Sequence, residues 1–206
     1  MHKPGNRKYN MSDKLYALFS NYGVRVWKGL LQKIYHFDKW HVVSLRQRKY
    51  ARDIIEFCNE RHNRGSFVEI GSGLGDIIRN VQYTARYGFD SDERVLRAAS
   101  FLNTLRGGNK IVLSPFHFPD SRLSGHFDLI LMVNWIHHIE PAVLKANLEG
   151  YFNFHLKQEG AIIIDTVQDK EYRYNHDITY LTGDIKASVS KLGNYERQRE
   201  IWIIKK

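Results

Sequence analysis

At 206 residues the chain holds one domain, or one domain with an appendage. Its 43% apolar fraction is that of an ordinary globular protein, and its single cysteine, Cys58, excludes an intrachain disulfide and a cysteine-rich zinc site. No apolar run approaches a membrane span, the longest being Leu129 to Val133, and the opening MHKPGNRKYN lacks the apolar core of a signal peptide.

Charge is unevenly spread. Residues 1–52 hold twelve Lys/Arg and two Asp/Glu, while the remainder holds nineteen and twenty. The basic quarter points to an anionic partner: nucleic acid, a phosphorylated small molecule or a membrane surface. A solvated basic face kept for solubility fits the same charge equally well.

In chain order, residues 1–10 read as a disordered tail. From Met11 to Phe37, Leu15, Leu18, Phe19, Tyr22, Val26, Leu30 and Ile34 recur every three or four positions. This predicts an amphipathic helix with that stripe buried. Lys14, Arg25, Lys28 and Lys33 lie among them, so peripheral membrane contact stays open, with packing on the chain's own domain favoured. Phe37, Trp40 and His41 form an aromatic connection. Ser44 and Gln47 read as a capping box for a helix whose buried stripe is Tyr50, Ile54, Phe57 and Cys58.

Phe67 to Arg79, FVEIGSGLGDIIR, is the strongest signal. Apolar strand residues lead into Gly71, Gly73 and Gly75, and Ile77, Ile78 and Val81 follow at helical spacing. The pattern predicts strand, tight glycine turn and helix. A dinucleotide fingerprint needs G-x-G-x-x-G, but its third glycine falls on Asp76. Ala85 to Asp90 reads as a second strand with a carboxylate at its tip, and Ser91 as the cap of the next helix. Such a carboxylate can accept from both hydroxyls of a ribose. Lys110 to Leu113 is a third strand, followed by the loop Ser114 to Pro119. Phe127 to Val133 is almost wholly apolar, as for the centre of a parallel sheet. Pro141 suits the first turn of a helix. Gly160 to Asp165 is a fifth strand. Asp177 can start a short helix, and Leu192–Arg197 with Glu200–Lys205 read as a closing antiparallel pair.

Together Glu69-x-Gly71-x-Gly73-x-Gly75, GFDSDERVLRAA and FDLILMVNWIHHIE resemble motifs I, II and IV of the class I S-adenosylmethionine (SAM) dependent methyltransferases, in the small bacterial methyltransferase-domain form. The resemblance spans residues 66–206. It implies a doubly wound, Rossmann-like α/β fold: a seven-stranded sheet of order 3-2-1-4-5-7-6 with strand seven antiparallel. Residues 11–65 are then a basic N-terminal helical lid. SAM is the implied cofactor, held by Glu69, Gly71, Ser72, Gly73, Gly75, Asp90, Ser91, Ser114, Phe116 and Asn134. At the adenine loop, Ser114 and Pro115 replace the family's usual Asp and N–H donor, so Phe116 is expected to stack on the base.

An alcohol nucleophile also needs a general base. His176 is the candidate, oriented by Asp177, with His138 beside the SAM pocket and His137 packed behind the turn. His137, His138, Glu140 and Asp165 match no standard metal spacing, and no metal is assigned. The implied activity is methyl transfer, O-methylation favoured, to a small phosphate-bearing saccharide or natural-product acceptor in the cytoplasm. Two alternatives stand beside it. Nucleic-acid methylation fits the basic segment, but Asn134 lacks the two following prolines of base N-methyltransferases. The other is a non-catalytic SAM-fold binding module. The oligomeric state is open.

Overall fold

A computed structural model describes residues 26–105 and 110–206. The expected tail at 1–10, and Leu15, Leu18, Phe19 and Tyr22 of the first helix, lie outside the described residues.

Seven strands form one sheet: β1 (Ser66–Ile70), β2 (Ala85–Asp90), β3 (Ile111–Pro115), β4 (Phe127–Met132), β5 (Leu156–Val167), β6 (Ser188–Tyr195) and β7 (Arg199–Lys205). Their order is β3-β2-β1-β4-β5-β7-β6, as the methyltransferase resemblance implies. Strands β1 to β5 run parallel, and β7 is antiparallel to both β5 and β6.

Alternation along the central strands divides the core between the two sheet faces. Leu129, Leu131 and Ile163 pack with Ala51, Ile54 and Cys58 of α2 (Lys49–Glu60) on one face. Ile130, Met132 and Ile164 pack with Leu144 and Leu148 of α4 (Pro141–Gly150) on the other. Both faces are covered, so β4 needs its unbroken apolar run. Cys58 is fully buried and its thiol is pushed far above the usual range by desolvation. It serves packing. A third cluster joins Leu31, Phe37 and Leu74 to Val95, Ala98 and Leu102 of α3 (Glu93–Leu105), fastening the N-terminal segment onto the glycine turn.

Four local expectations are corrected. In the first helix, α1, described over residues 26–35, the expected stripe faces outward: Val26, Leu30 and Ile34 are 57%, 44% and 56% exposed. Leu31 and Lys28 are buried instead, because Lys28 Nζ reaches Asp76 Oδ2 at 2.6 Å and turns its own face inward. Second, no helix is assigned after the glycines; residues 73–80 form successive turns. The connection from Ile70 to Ala85 is near the minimum length for a parallel crossover. Ile78 N–H also donates to the Glu69 carboxyl at 3.0 Å, and Asn80 Nδ2 to the Asp76 carbonyl at 2.6 Å, in place of a continuous helical ladder. Ile77, Ile78 and Val81 are buried all the same.

The third and fourth corrections concern caps. Ser44 accepts from Arg46 N–H and caps a single 3-10 turn, Leu45–Gln47, with α2 starting beyond it. Asp92, not Ser91, accepts from Arg94 N–H at the start of α3. The Asp90 carboxylate accepts from Asp92 N–H at 3.0 Å and places Asp92 at that position.

Candidate functional site at the strand tips

The glycine turn leaves β1 at the switch point between β1 and β4, where ligands bind in open α/β sheets. Gly71, Gly73 and Gly75 have φ of 77°, 53° and 73°, a left-handed conformation that side chains with a Cβ resist. Gly71 and Ser72 N–H both donate to the Phe89 carbonyl, at 2.7 and 2.8 Å. Gly73 N–H donates to Asp90 Oδ2 at 2.8 Å. The Asp90 carboxylate therefore accepts one backbone bond on each oxygen, which leaves about half of its roughly four acceptor positions open. The turn also crosses under two aromatic groups. A Cβ on Gly71 would fall inside the Trp135 ring, whose Nε1 donates to the Ile70 carbonyl at 2.7 Å. A Cβ on Gly73 would stand 2.9 Å from His41 Nδ1.

A cleft of about 60 Å³ opens here, bordered by Glu69, the Gly71–Leu74 backbone, Asn134 and Trp135. Its outer wall comes from Trp40, His41, Arg48 and Tyr50 of the N-terminal segment. Trp40 stacks on His41 with ring centroids 3.7 Å apart. Burial lowers the His41 pKa against the pull of Asp90, so this imidazole is neutral at pH 7.

Asp76 fastens that wall to the turn. Lys28, Arg48 and Arg79 all reach its carboxylate. Burial alone would raise the Asp76 pKa; the three cations hold it below the usual carboxylate range. Burial lowers the Lys28 pKa by more than Asp76 returns. Lys28 and Arg48 together outnumber the Asp76 charge, which makes this wall positive.

Glu69 is the contrasting carboxyl. It is 4% exposed, and desolvation pushes its pKa up to about 8 despite the bond from Ile78 N–H. A raised carboxyl pKa means that the folded state holds a proton the unfolded state has lost. Stability should therefore be fully present below the unfolded value near 4.5 and fall as pH rises towards 8, by up to about 1.4 kcal/mol per pH unit. Glu69→Gln should flatten that slope in urea titrations between pH 5 and 8, and an unchanged slope would assign it elsewhere.

Of the sequence-predicted cofactor residues, Glu69, Gly71, Ser72, Gly73 and Asn134 border the cleft. Asp90 adjoins it through Gly73. Gly75, Ser91, Ser114 and Phe116 do not border it. Phe116 is 6% exposed and stacked on Phe89, with centroids 5.4 Å apart, so its ring is already committed to the core.

The predicted catalytic residues do not converge on the cleft. His176 is 3% exposed; its Nε2 bonds the Ile136 carbonyl at 2.9 Å and its Nδ1 has no partner among the described residues. The expected Asp177–His176 pair is not formed. Asp177 instead caps α5 (Ile178–Thr182), accepting from Thr179 and Tyr180 N–H at 2.6 and 3.2 Å, and His176 is oriented by the Ile136 carbonyl in place of that carboxylate. His138 is exposed, whereas His137 is buried against Tyr172, and desolvation lowers its pKa to about 3. Among the described residues no group of three or more His, Cys, Asp or Glu could hold a metal ion.

Sequence reasoning missed Arg199, Trp135 and the contact of His41 with Gly73. Arg199 enters from the start of β7 and pairs with Asp165 in the interior. Its only sequence signal is an arginine heading an apolar strand that must lie beside β5.

With this geometry in hand, solved structures of similar fold can be compared. No protein-family profile and no curated protein matches the chain. Magnesium protoporphyrin IX methyltransferase from Synechocystis PCC 6803, with SAM bound, aligns over 98% of this chain and 100% of its own, at 16% identity and a TM-score of 0.65. A SAM-dependent methyltransferase from Clostridium acetobutylicum ATCC 824 covers 77% of this chain and 91% of its own, at 16% identity and a TM-score of 0.63. The N-methyltransferase NodS from Bradyrhizobium japonicum WM9 covers 77% and 95%, at 14% identity and a TM-score of 0.63. The chain thus has the fold of the class I SAM-dependent methyltransferases over most of its length. At these identities the likeness is one of fold.

Proposed function

We propose that the protein is a SAM-dependent methyltransferase acting on a small acceptor. The observation that carries this reading is the left-handed glycine turn at the β1 tip, bonded to the Asp90 carboxylate at the β2 tip. On this reading the buried backbone of the turn meets the amino-acid part of SAM once the aromatic wall moves aside, and the open acceptor positions of Asp90 suit ribose hydroxyls. SAM would supply the methyl group on an activated sulfonium. The chain would contribute alignment of the acceptor with that methyl, the largest part of catalysis in such a displacement. A base role for His176, His138 or Asp177 draws no support from their positions, so the reading rests on the cofactor side.

The cleft holds only a few waters. Trp40 and His41 must therefore move off the glycine turn to admit a nucleoside. Residues 11–65 are on this reading a basic lid, of which Lys28 and Arg48 are the fastenings to Asp76. Its charge and aromatic rings suit a phosphate-bearing saccharide or related natural product. The small-molecule acceptor in the name of the magnesium protoporphyrin enzyme favours a small acceptor over nucleic acid. No helix among the described residues is long and apolar enough to cross a membrane. The one buried cysteine suits a reducing cytoplasm.

Incubation with methyl-labelled SAM and panels of sugar phosphates, RNA and protein tests the reading. Label is expected in the small acceptors. Label in RNA, with sub-micromolar RNA binding and a log–log salt slope steeper than about −4, would favour the nucleic-acid alternative.

A further inference from the structure

The geometry points to Asn134 as a hydrogen-bond donor to a carboxylate in the cleft, with Arg199 as the residue that positions it. This rests on the SAM reading: the carboxylate is that of the amino-acid end of SAM.

A guanidinium carries five N–H donors and no acceptor. Arg199 Nη1 bonds Asp165, and Nη2 donates to Asn134 Oδ1 at 3.0 Å. Because Arg199 can only donate, the Asn134 amide must turn its oxygen to it. The usual ambiguity between amide oxygen and nitrogen is thereby removed. The second oxygen of Asp165 accepts from Asn134 N–H at 2.9 Å. Three bonds close a ring that fixes both the backbone and the amide of one residue, at a φ of 72° that asparagine tolerates better than most. The Tyr50 ring lies over the guanidinium, 4.9 Å from ring centroid to Cζ. Arg199 and Asp165 are 5% and 1% exposed, so the ring is shielded from water.

Asn134 borders the cleft between Gly71 and Trp135. Oδ1 is held by Arg199, which does not border the cleft, and no group among the described residues accepts from Nδ2, so Nδ2 is the end of the amide left for a ligand. Arg48, on the outer wall of the same cleft, shares Asp76 with Lys28, two cations on one carboxylate. Across from them, burial keeps the Glu69 carboxyl largely protonated at pH 7. Paired N–H donors beside a surplus of positive charge select an oxyanion and disfavour an ammonium. The amino-acid end of SAM carries one of each, so the amide would take the carboxylate.

Calorimetric titration with S-adenosylhomocysteine and with 5′-methylthioadenosine, which lacks the amino-acid end, separates the possibilities. Asn134→Gly keeps the left-handed backbone and removes the amide. It should weaken S-adenosylhomocysteine by about 10-fold and 5′-methylthioadenosine by less than about 2-fold. Asn134→Asp places a second carboxylate against the ligand's and should cost about 100-fold for the first probe alone. The double variant Arg199→Met/Asp165→Asn leaves no buried charge unpaired, frees the amide to rotate, and should weaken the first probe by about 10-fold alone. Wild-type affinity for S-adenosylhomocysteine in either Asn134 variant, or equal loss of both probes, would overturn the donor role. Wild-type affinity in the double variant would overturn the positioning role. A wild-type protein that binds neither probe would overturn the SAM reading, and this inference with it.

Discussion

Asp165→Ala should lower the unfolding free energy by about 3–5 kcal/mol, because it strands the Arg199 guanidinium in the interior without a counter-charge. Arg199 is 5% exposed, and burial lowers its pKa, a sign that the site disfavours the charge on its own. The same change removes the acceptor of Asn134 N–H at the β4 tip. Replacing both members of the pair should cost far less. Arg199→Met/Asp165→Asn leaves no unpaired charge and should stay within about 2 kcal/mol of the wild type, the remaining loss coming from the bond to Asn134 Oδ1. Urea unfolding of the three proteins measures both quantities. A single variant costing under about 1 kcal/mol would mean that water reaches Arg199 and that the pair is not interior.

Gly71→Ala should be nearly as damaging, by about 2–4 kcal/mol, and should also abolish cofactor binding. Its φ of 77° costs an alanine about 1–2 kcal/mol by itself. The added methyl also occupies the space of the Trp135 ring, which would have to leave and break its bond to the Ile70 carbonyl. That loss adds about 1 kcal/mol or more. Trp135 borders the cleft, so its displacement carries the damage into the binding site. Trp135→Phe removes the indole N–H while keeping an aromatic ring, and should cost only about 1 kcal/mol. Thermal unfolding with and without SAM reads both effects; Gly71→Ala unfolding and binding like the wild type would contradict the packing described.

Much of this was legible in the sequence. The strand order is what the resemblance of motifs I, II and IV to the methyltransferases implies, and FDLILMV reads as a central strand because both its faces need cover. The glycines, Asp90 and Asn134 stand at strand tips, where local pattern is enough. What escaped depends on partners far along the chain. The outward turn of Val26, Leu30 and Ile34 follows from an ion pair between Lys28 and Asp76, and periodicity alone favours burying the apolar residues. The missing helix after the glycines reflects backbone groups bonded to Glu69 and to side chains, a competition that hydrophobic spacing does not register. Asp177 is a helix cap, and the sequence His176-Asp177 offered a pair that the cap geometry uses up. Arg199 reaches Asp165 only through the antiparallel ladder that sets Val167 against Arg199, a register no local pattern states.

Calorimetric titration of SAM into the wild type and into Gly73→Arg tests whether the glycine turn binds SAM. The wild type should bind with a Kd on the order of 10 μM, about −7 kcal/mol. Gly73 has a φ of 53° and His41 against its open face, so an arginine there is strained and fills the place of the ligand. That variant should show no detectable binding while it still unfolds cooperatively. Wild-type protein that fails to bind SAM at millimolar concentration, or Gly73→Arg that binds it with wild-type affinity, would rule out the glycine turn as the SAM site.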